Sequence, residues 1–124
     1  MQIKDSVVVQ TSTRIRPQKT VKMAMKGIFT LEQAIVGILM DAGENNKTLP
    51  RKYAIYHTDS KTYFDITTNI LAKRLNLTVV AQKEGNPMEK LAGYECEFDH
   101  NDGVLVVDAC YGLFNVMKTL GGQI

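Results

Sequence analysis

Hydrophobic and polar positions alternate from the beginning of the chain. In SVVVQTSTRIRPQKTVKMAMK, residues 6–26, an extended backbone places Val7, Val9, Thr11, Thr13 and Ile15 on one face and Gln10, Ser12, Arg14 and Arg16 on the other. An early two-faced ribbon is expected. The period changes at Phe29-Thr30-Leu31-Glu32-Gln33, where Thr30 can cap a helix, Gln33 can complete a capping box and Phe29 can staple onto Ala34. That helix should run over about 31–42, stopped by Gly43 and followed by the polar loop GENNKTLP.

KYAIYH and TYFDI, residues 52–57 and 62–66, are aromatic and β-branched runs separated by TDSK, which predicts a hairpin with a four-residue connection. Thr67 or Asp65 can then cap a short helix reaching residue 75, which presents Ile70, Leu71, Arg74 and Leu75, with Asn76 as its exit. A strand, LTVVAQ, follows. After the loop KEGNPMEKLAG, alternation in YECEFDHNDGVLVVD sets Tyr94, Cys96 and Phe98 opposite Glu95, Glu97 and Asp99 and predicts a second hairpin turning at Asp102-Gly103. Asp108 caps a final helix, ACYGLFNVMKTL, which Gly121-Gly122 stops. The order ββ-α-ββ-α-β-ββ-α describes one α+β domain over residues 1–124 without a linker. Its sheet should be mainly antiparallel and built from hairpins, with about three helices packed on one face.

Composition adds little to this outline except in charge. A chain of 124 residues, 44% hydrophobic and 23% charged, can bury a core without disulfides or a structural metal. Cys96 and Cys110 are accordingly expected to be reduced core residues. The apolar run from Ala34 to Met40 is too short to span a bilayer and MQIKDS lacks the core of a signal peptide, so a cytoplasmic protein with no membrane partner is expected. If the chain is phage-encoded, that means the host cytoplasm. Both the first and the last helix are apolar nearly all round, which calls for central burial or subunit contact; a homo-oligomer is the favoured reading, and loops that cover the second face are the alternative.

Net charge is +2, yet residues 1–62 carry ten Lys/Arg against five Asp/Glu, while residues 63–124 carry five against eight. Arg14, Arg16, Lys19, Lys22 and Lys26 have no acid between Asp5 and Glu32, a positive potential suited to a phosphate or carboxylate. The bland alternative for most of these lysines is a solvated edge strand. Arg51, Lys52, Tyr53, Tyr56, His57, Thr58, Tyr63 and Phe64 gather cations and aromatic planes around one hairpin, where a base could stack while its phosphates meet Arg or Lys. Alternation sends half of those aromatics to the core. The candidate ligand-binding residues are Arg14, Arg16, Arg51, Lys52, Tyr56, His57, Thr58 and Phe64.

Other constellations are weaker. Glu95, Glu97 and Asp99 could hold a divalent cation, but their usual meaning is the solvent face of an edge strand. Cys96, His100 and Cys110 suggest zinc or a thiol nucleophile, yet a fourth ligand or an orienting partner is not evident. No GxGxxG after a strand, Walker loop, HExxH or GxSxG occurs, so standard nucleotide enzymes are disfavoured. Neither a catalytic residue, a metal nor a cofactor is expected.

In size, in the basic ribbon RIRPQKTVK, in the helix FTLEQAIVGILMDAG that follows it and in the mixed hairpin-helix remainder, the chain resembles the phage Thoeris anti-defence sponges of the first type described. The resemblance covers the layout of most of the chain and maps no binding residue. It implies an oligomeric protein, not an enzyme, that sequesters a cyclic nucleotide-derived immune signal, such as a cyclic ADP-ribose isomer or a cyclic oligonucleotide, without destroying it. The expectation is therefore a cofactor-free, immune-evading binder of an anionic, nucleotide-like small molecule. Two alternatives stay open: a phage inhibitor that binds nucleic acid or protein, and a small phosphoesterase using His57 with Asp65 or the acidic stripe.

Overall fold

From Tyr53 to Ala81 burial has period 2, the signature of strands covered on one face. In the computed structural model, which describes residues 6–10, 28–45 and 50–121, with 6–10, 28 and 29 given by their main chain, this stretch is a continuous antiparallel meander. Its strands are β3 (Arg51–His57), β4 (Thr62–Leu71), β5 (Arg74–Lys83) and β6 (Glu89–Glu97). Register puts Ile55 opposite Phe64 and Phe64 opposite Ala81, and likewise Tyr53, Ile66 and Val79 in one row. These rows form the floor of the core.

On the other side of β3 lies β1 (Ser6–Gln10), whose Val8 pairs with Tyr56 and whose Gln10 pairs with Ala54; β2 (Ile28–Thr30) completes that edge. The sheet has six strands in the order β2-β1-β3-β4-β5-β6, with every pair antiparallel. Two helices lie on its covered face and touch each other: α1 (Leu31–Glu44), which reaches β1 to β4, and α2 (Gly103–Gly121), which reaches β5 and β6. The fold is α+β and antiparallel. Among the described residues there are two helices, not three.

The start of α1 follows the capping chemistry read from the sequence. Thr30 N–H donates to Gln33 Oε1 at 3.0 Å, and Gln33 N–H donates to Thr30 Oγ1 at 3.2 Å. Leu31, Ala34, Ile35, Ile38, Leu39 and Ala42 form its buried side. Gly43 does not end the helix. A Cβ there would come within 3.0 Å of the His100 side chain, so Gly43 is a packing point, and Asn45 caps the helix by donating to the Asp41 carbonyl. The Phe29 staple and the ribbon beyond Gln10 lie outside the described residues.

The helix expected over 67–75 is instead the tip of the β4–β5 hairpin. Leu, Ala, Lys and Arg favour helix locally, but Thr68, Ile70, Leu75 and Leu77 continue the period-2 burial of the flanking strands, and the core contacts win. The two-residue turn holds Ala72 at φ 52° and Lys73 at φ 59°, both left-handed, which suits the right-handed twist of a tight hairpin. A left-handed conformation costs a non-glycine residue about 1–2 kcal/mol. The double substitution Ala72→Asn/Lys73→Gly should therefore stabilise the protein by about 1 kcal/mol, read as a higher denaturation midpoint in urea at unchanged slope. The exposed Lys73–Asp99 pair it removes, 3.7 Å long, offsets this little.

A second departure is at VLVVD, expected as a strand and found in the first turns of α2. Asp102 is the reason. Its Oδ1 accepts from the N–H groups of Val104 and Leu105 at 3.0 and 3.3 Å, an N-cap that starts the helix six residues before the expected cap Asp108. Ala109, Leu113, Met117 and Leu120 then share one buried stripe. EKLAG, expected as loop, is the first half of β6, paired with β5 after a turn at Glu84-Gly85. By length and composition α2 is apolar enough to cross a membrane. It also packs on β5, β6 and α1, where its buried stripe closes the core.

Candidate functional site

The hairpin that carries the expected site residues has two chemically different faces. On the helix-covered face stand Arg51, Tyr53, Ile55 and His57 of β3; on the open face stand Lys52, Ala54 and Tyr56. Adjacent residues of a strand point opposite ways, so Arg51 and Lys52 do not converge on one anion.

Arg51 is held from inside. Its Nη2 lies 3.2 Å from Asp41 Oδ2, and its Nε donates to the Tyr53 hydroxyl at 3.2 Å. Tyr53 in turn donates to the same Asp41 oxygen at 2.6 Å, while Asp41 Oδ1 accepts from Asn45 Nδ2 at 3.1 Å. Burial, reinforced by the Asp41 hydrogen bond, pushes the Tyr53 phenol far above its ordinary value. This network ties the end of α1 to the start of β3. Its guanidinium already has a carboxylate.

His57 is fully buried, with its Nδ1 against Ser60 Oγ and accepting from the Ser60 N–H at 3.3 Å. Asp65 is on the open face, opposite Ala54, so the sheet separates it from His57. Phe64 is fully buried in the central row of the core, and the stacking role expected for it is corrected here: no ring face is exposed. Thr58 opens the four-residue connection, where its carbonyl accepts from Lys61 N–H at 3.3 Å. Arg14 and Arg16 lie outside the described residues.

The open face keeps Lys52 and Tyr56. Tyr56 packs against Tyr63 with ring centroids 4.6 Å apart and planes tilted by 38°, and its hydroxyl donates to Glu84 Oε1 at 2.7 Å. That bond pushes the Tyr56 phenol up to about 12. Around the pair, Gln82 aligns with Tyr63, and Thr67 and Thr78 align with Lys52. Two rings thus stand among polar side chains, with Lys52 four residues from Tyr56, or about 13 Å along the strand. Tyr63, Gln82 and Glu84 were absent from the sequence-derived set, although hairpin register across TDSK places Tyr63 beside Tyr56.

The acidic stripe is engaged: Glu95 Oε1 accepts from Arg74 Nη2 at 2.8 Å, and Asp99 faces Lys73. The Asn101 N–H, helped by Lys73, holds the Asp99 carboxyl below its usual range. Cys96, His100 and Cys110 do not meet. Cys96 sits between β6 and α2, His100 packs on Gly43, and Cys110 lines the cleft between the helices, where burial pushes its thiol up to about 11. No group of three His, Cys, Asp or Glu side chains among the described residues is arranged to hold a metal ion.

The helix layer carries two concavities. Between α1 and α2 an apolar cleft of about 430 Å³ is lined by Ile35, Val36, Val106, Val107, Cys110 and Phe114. Val36, Val104, Val107 and Tyr111 stand exposed around it. On the other flank of α2, against β6, runs a groove of about 640 Å³. Tyr111 is the ridge between the two. Comparison with family models, with curated proteins and with solved structures finds no match for this chain.

Proposed function

We propose that the protein is a non-enzymatic, self-associating binder that sequesters a phosphate-bearing, nucleotide-derived small molecule. The observation that carries this reading is the Tyr56–Tyr63 pair on the open face of the sheet, with Tyr63 exposed and Tyr56 half-buried, on the side that also presents Lys52. A base stacks on such rings at about 1–3 kcal/mol each, and Lys52 supplies a charge for phosphate. Arg51 drops to a structural role, and Arg14 and Arg16 remain candidate phosphate partners. Self-association is supported by the apolar cleft between the helices and the exposed side chains at its rim, which a polar solvent does not favour. From the resemblance to anti-defence sponges comes the narrower proposal that the ligand is a cyclic ADP-ribose-like or cyclic oligonucleotide signal, captured in the host cytoplasm.

Cyclic ADP-ribose and a cyclic dinucleotide are the probes. Calorimetry should find stoichiometric binding, lost by at least tenfold in Tyr56→Ala and in Arg14→Ala/Arg16→Ala, and the nucleotide should be recovered intact after heat denaturation. Recovery of a chemically altered nucleotide would make the protein an enzyme. Retention of full affinity in Tyr56→Ala would remove the open face from the site. A polynucleotide binder would instead lose affinity steeply with salt, by about one unit of logarithmic slope per phosphate contact.

A further inference from the structure

One edge of the sheet is short and the other is long. β2 has three residues, whereas β6 has nine, and among the described residues no strand lies beyond it. The register shows which of its backbone groups face outward. Phe98 N–H donates to the Lys73 carbonyl at 2.9 Å, so this pair, one step past Glu97 and Arg74, is a hydrogen-bonded one. Bonded and non-bonded pairs alternate along an antiparallel ladder. Cys96, Tyr94 and Ala92 therefore turn their N–H and C=O groups toward β5, and Glu95, Gly93 and Leu91 turn theirs to the free edge. All three are exposed. Such a row of outward backbone groups is a template for another strand.

The side chains beside that edge divide by face. Ala92, Tyr94 and Cys96, on the helix-covered face, open into the groove of about 640 Å³ whose other wall includes Leu105, Gly112 and Val116 of α2. Gly112 shapes it: a Cβ there would overlap the Tyr94 ring, so the glycine lets the phenol lie across the helix. Leu120 of α2 sits near Ala81 and Lys90, at the beginning of β6, so the helix runs back along the strand and the groove follows the edge. A strand added to β6 would set every second side chain over this groove. Main-chain bonds then give affinity and the alternate side chains give specificity.

Charge selects the occupant. On the open face β6 carries Glu89, Glu95 and Glu97 around Leu91 and Gly93, and Arg74 balances one of them, Glu95, at 2.8 Å. A second β6 laid antiparallel about Gly93 would set Glu89 against Glu97, and any acidic strand would meet the same repulsion. A basic strand would be attracted instead. The carboxylates that protect this edge from copies of itself thus leave it open to a partner of opposite sign.

We propose that the free edge of β6 receives an extended segment of a protein partner as an added strand, with lysine or arginine on the open face beside Glu89, Glu95 and Glu97 and small apolar side chains in the groove against Tyr94 and Val116. The edge lies three strands from Tyr56 and does not rest on the nucleotide reading. The probe is an acetylated, amidated heptapeptide of alternating lysine and valine, titrated into the full-length protein and followed by amide chemical shifts and hydrogen exchange. It should shift residues of β6 and α2 and slow exchange of the Leu91, Gly93 and Glu95 amides at least about tenfold. A glutamate–valine counterpart should bind at least about tenfold more weakly, and Glu89→Gln/Glu97→Gln should weaken the lysine–valine peptide about fivefold. N-methylation of alternate peptide nitrogens separates backbone pairing from charge. The set that faces β6 should abolish binding, and the other set should leave it unchanged. Equal binding of the two N-methylated peptides would overturn the proposal, as would equal binding of the glutamate–valine peptide or no shift along β6 at millimolar peptide. Protection of the three amides that rises with protein concentration in the absence of peptide would seat a second copy on the edge and overturn it too.

Discussion

Phe64→Ala should lower the free energy of unfolding by about 3–5 kcal/mol, enough to abolish much of the stability of a domain this size. Phe64 is fully buried on β4, an interior strand of the sheet, with Ile55 on one side and Ala81 on the other, so truncation leaves a cavity that two hydrogen-bonded strands cannot close. Urea unfolding followed by circular dichroism measures the effect. Tyr56→Ala, one strand away on the open face, should cost less than about 1 kcal/mol apart from the lost contact with Tyr63. The contrast tests which ring belongs to the core. A Phe64→Ala protein that unfolds at the wild-type midpoint but has lost nucleotide affinity would return Phe64 to the ligand site.

That prediction also shows where the sequence was informative and where it was not. Alternation separated Tyr53 and His57 from Tyr56, and the four-residue connection TDSK aligned the two strands as found. It did not say which of the two faces the helices would cover. The expected site therefore drew on both, taking Arg51, His57 and Phe64 from the covered side and Lys52 and Tyr56 from the open one. A period-2 pattern defines faces, and only the rest of the fold assigns them an inside.

The two misread segments share a cause. Residues 67–75 and 103–108 are too short for periodicity to separate helix from strand, and in each the local preference opposed the result. Ala72, Lys73 and Arg74 favour helix, yet cross-strand pairing of Ile70 with Leu75 and Thr68 with Leu77, whose side chains are buried in the core, imposes a hairpin. Val104, Val106 and Val107 favour strand, yet a single aspartate cap and the stripe Ala109, Leu113, Met117 impose a helix. Because α2 begins earlier than expected, Asp108 is a side chain on its flank instead of a cap.

Asp41→Ala should cost about 2–3 kcal/mol, well above the typical surface substitution, because one carboxylate serves three donors. Removing it leaves the Tyr53 hydroxyl, on a side chain 1% exposed, and the Arg51 guanidinium without their acceptor, and takes the Asn45 amide from Oδ1 at the end of α1. Asp41 and Arg51 side chains are 33% and 21% exposed, so water repairs part of the loss and the cost stays below that of breaking a fully buried pair. Tyr53→Phe alone should cost about 1 kcal/mol, and the double mutant should fall short of the sum of the singles, since both act through one network. The same variants decide what Arg51 is for. If its guanidinium is a strut between α1 and β3, Asp41→Asn lowers stability and leaves the affinity for a nucleotide probe unchanged; if Arg51 is a phosphate partner held in check, removing the negative charge tightens that affinity several-fold. The first outcome is expected, because Arg51 projects from the covered face of β3 while Lys52 and Tyr56 project from the open one.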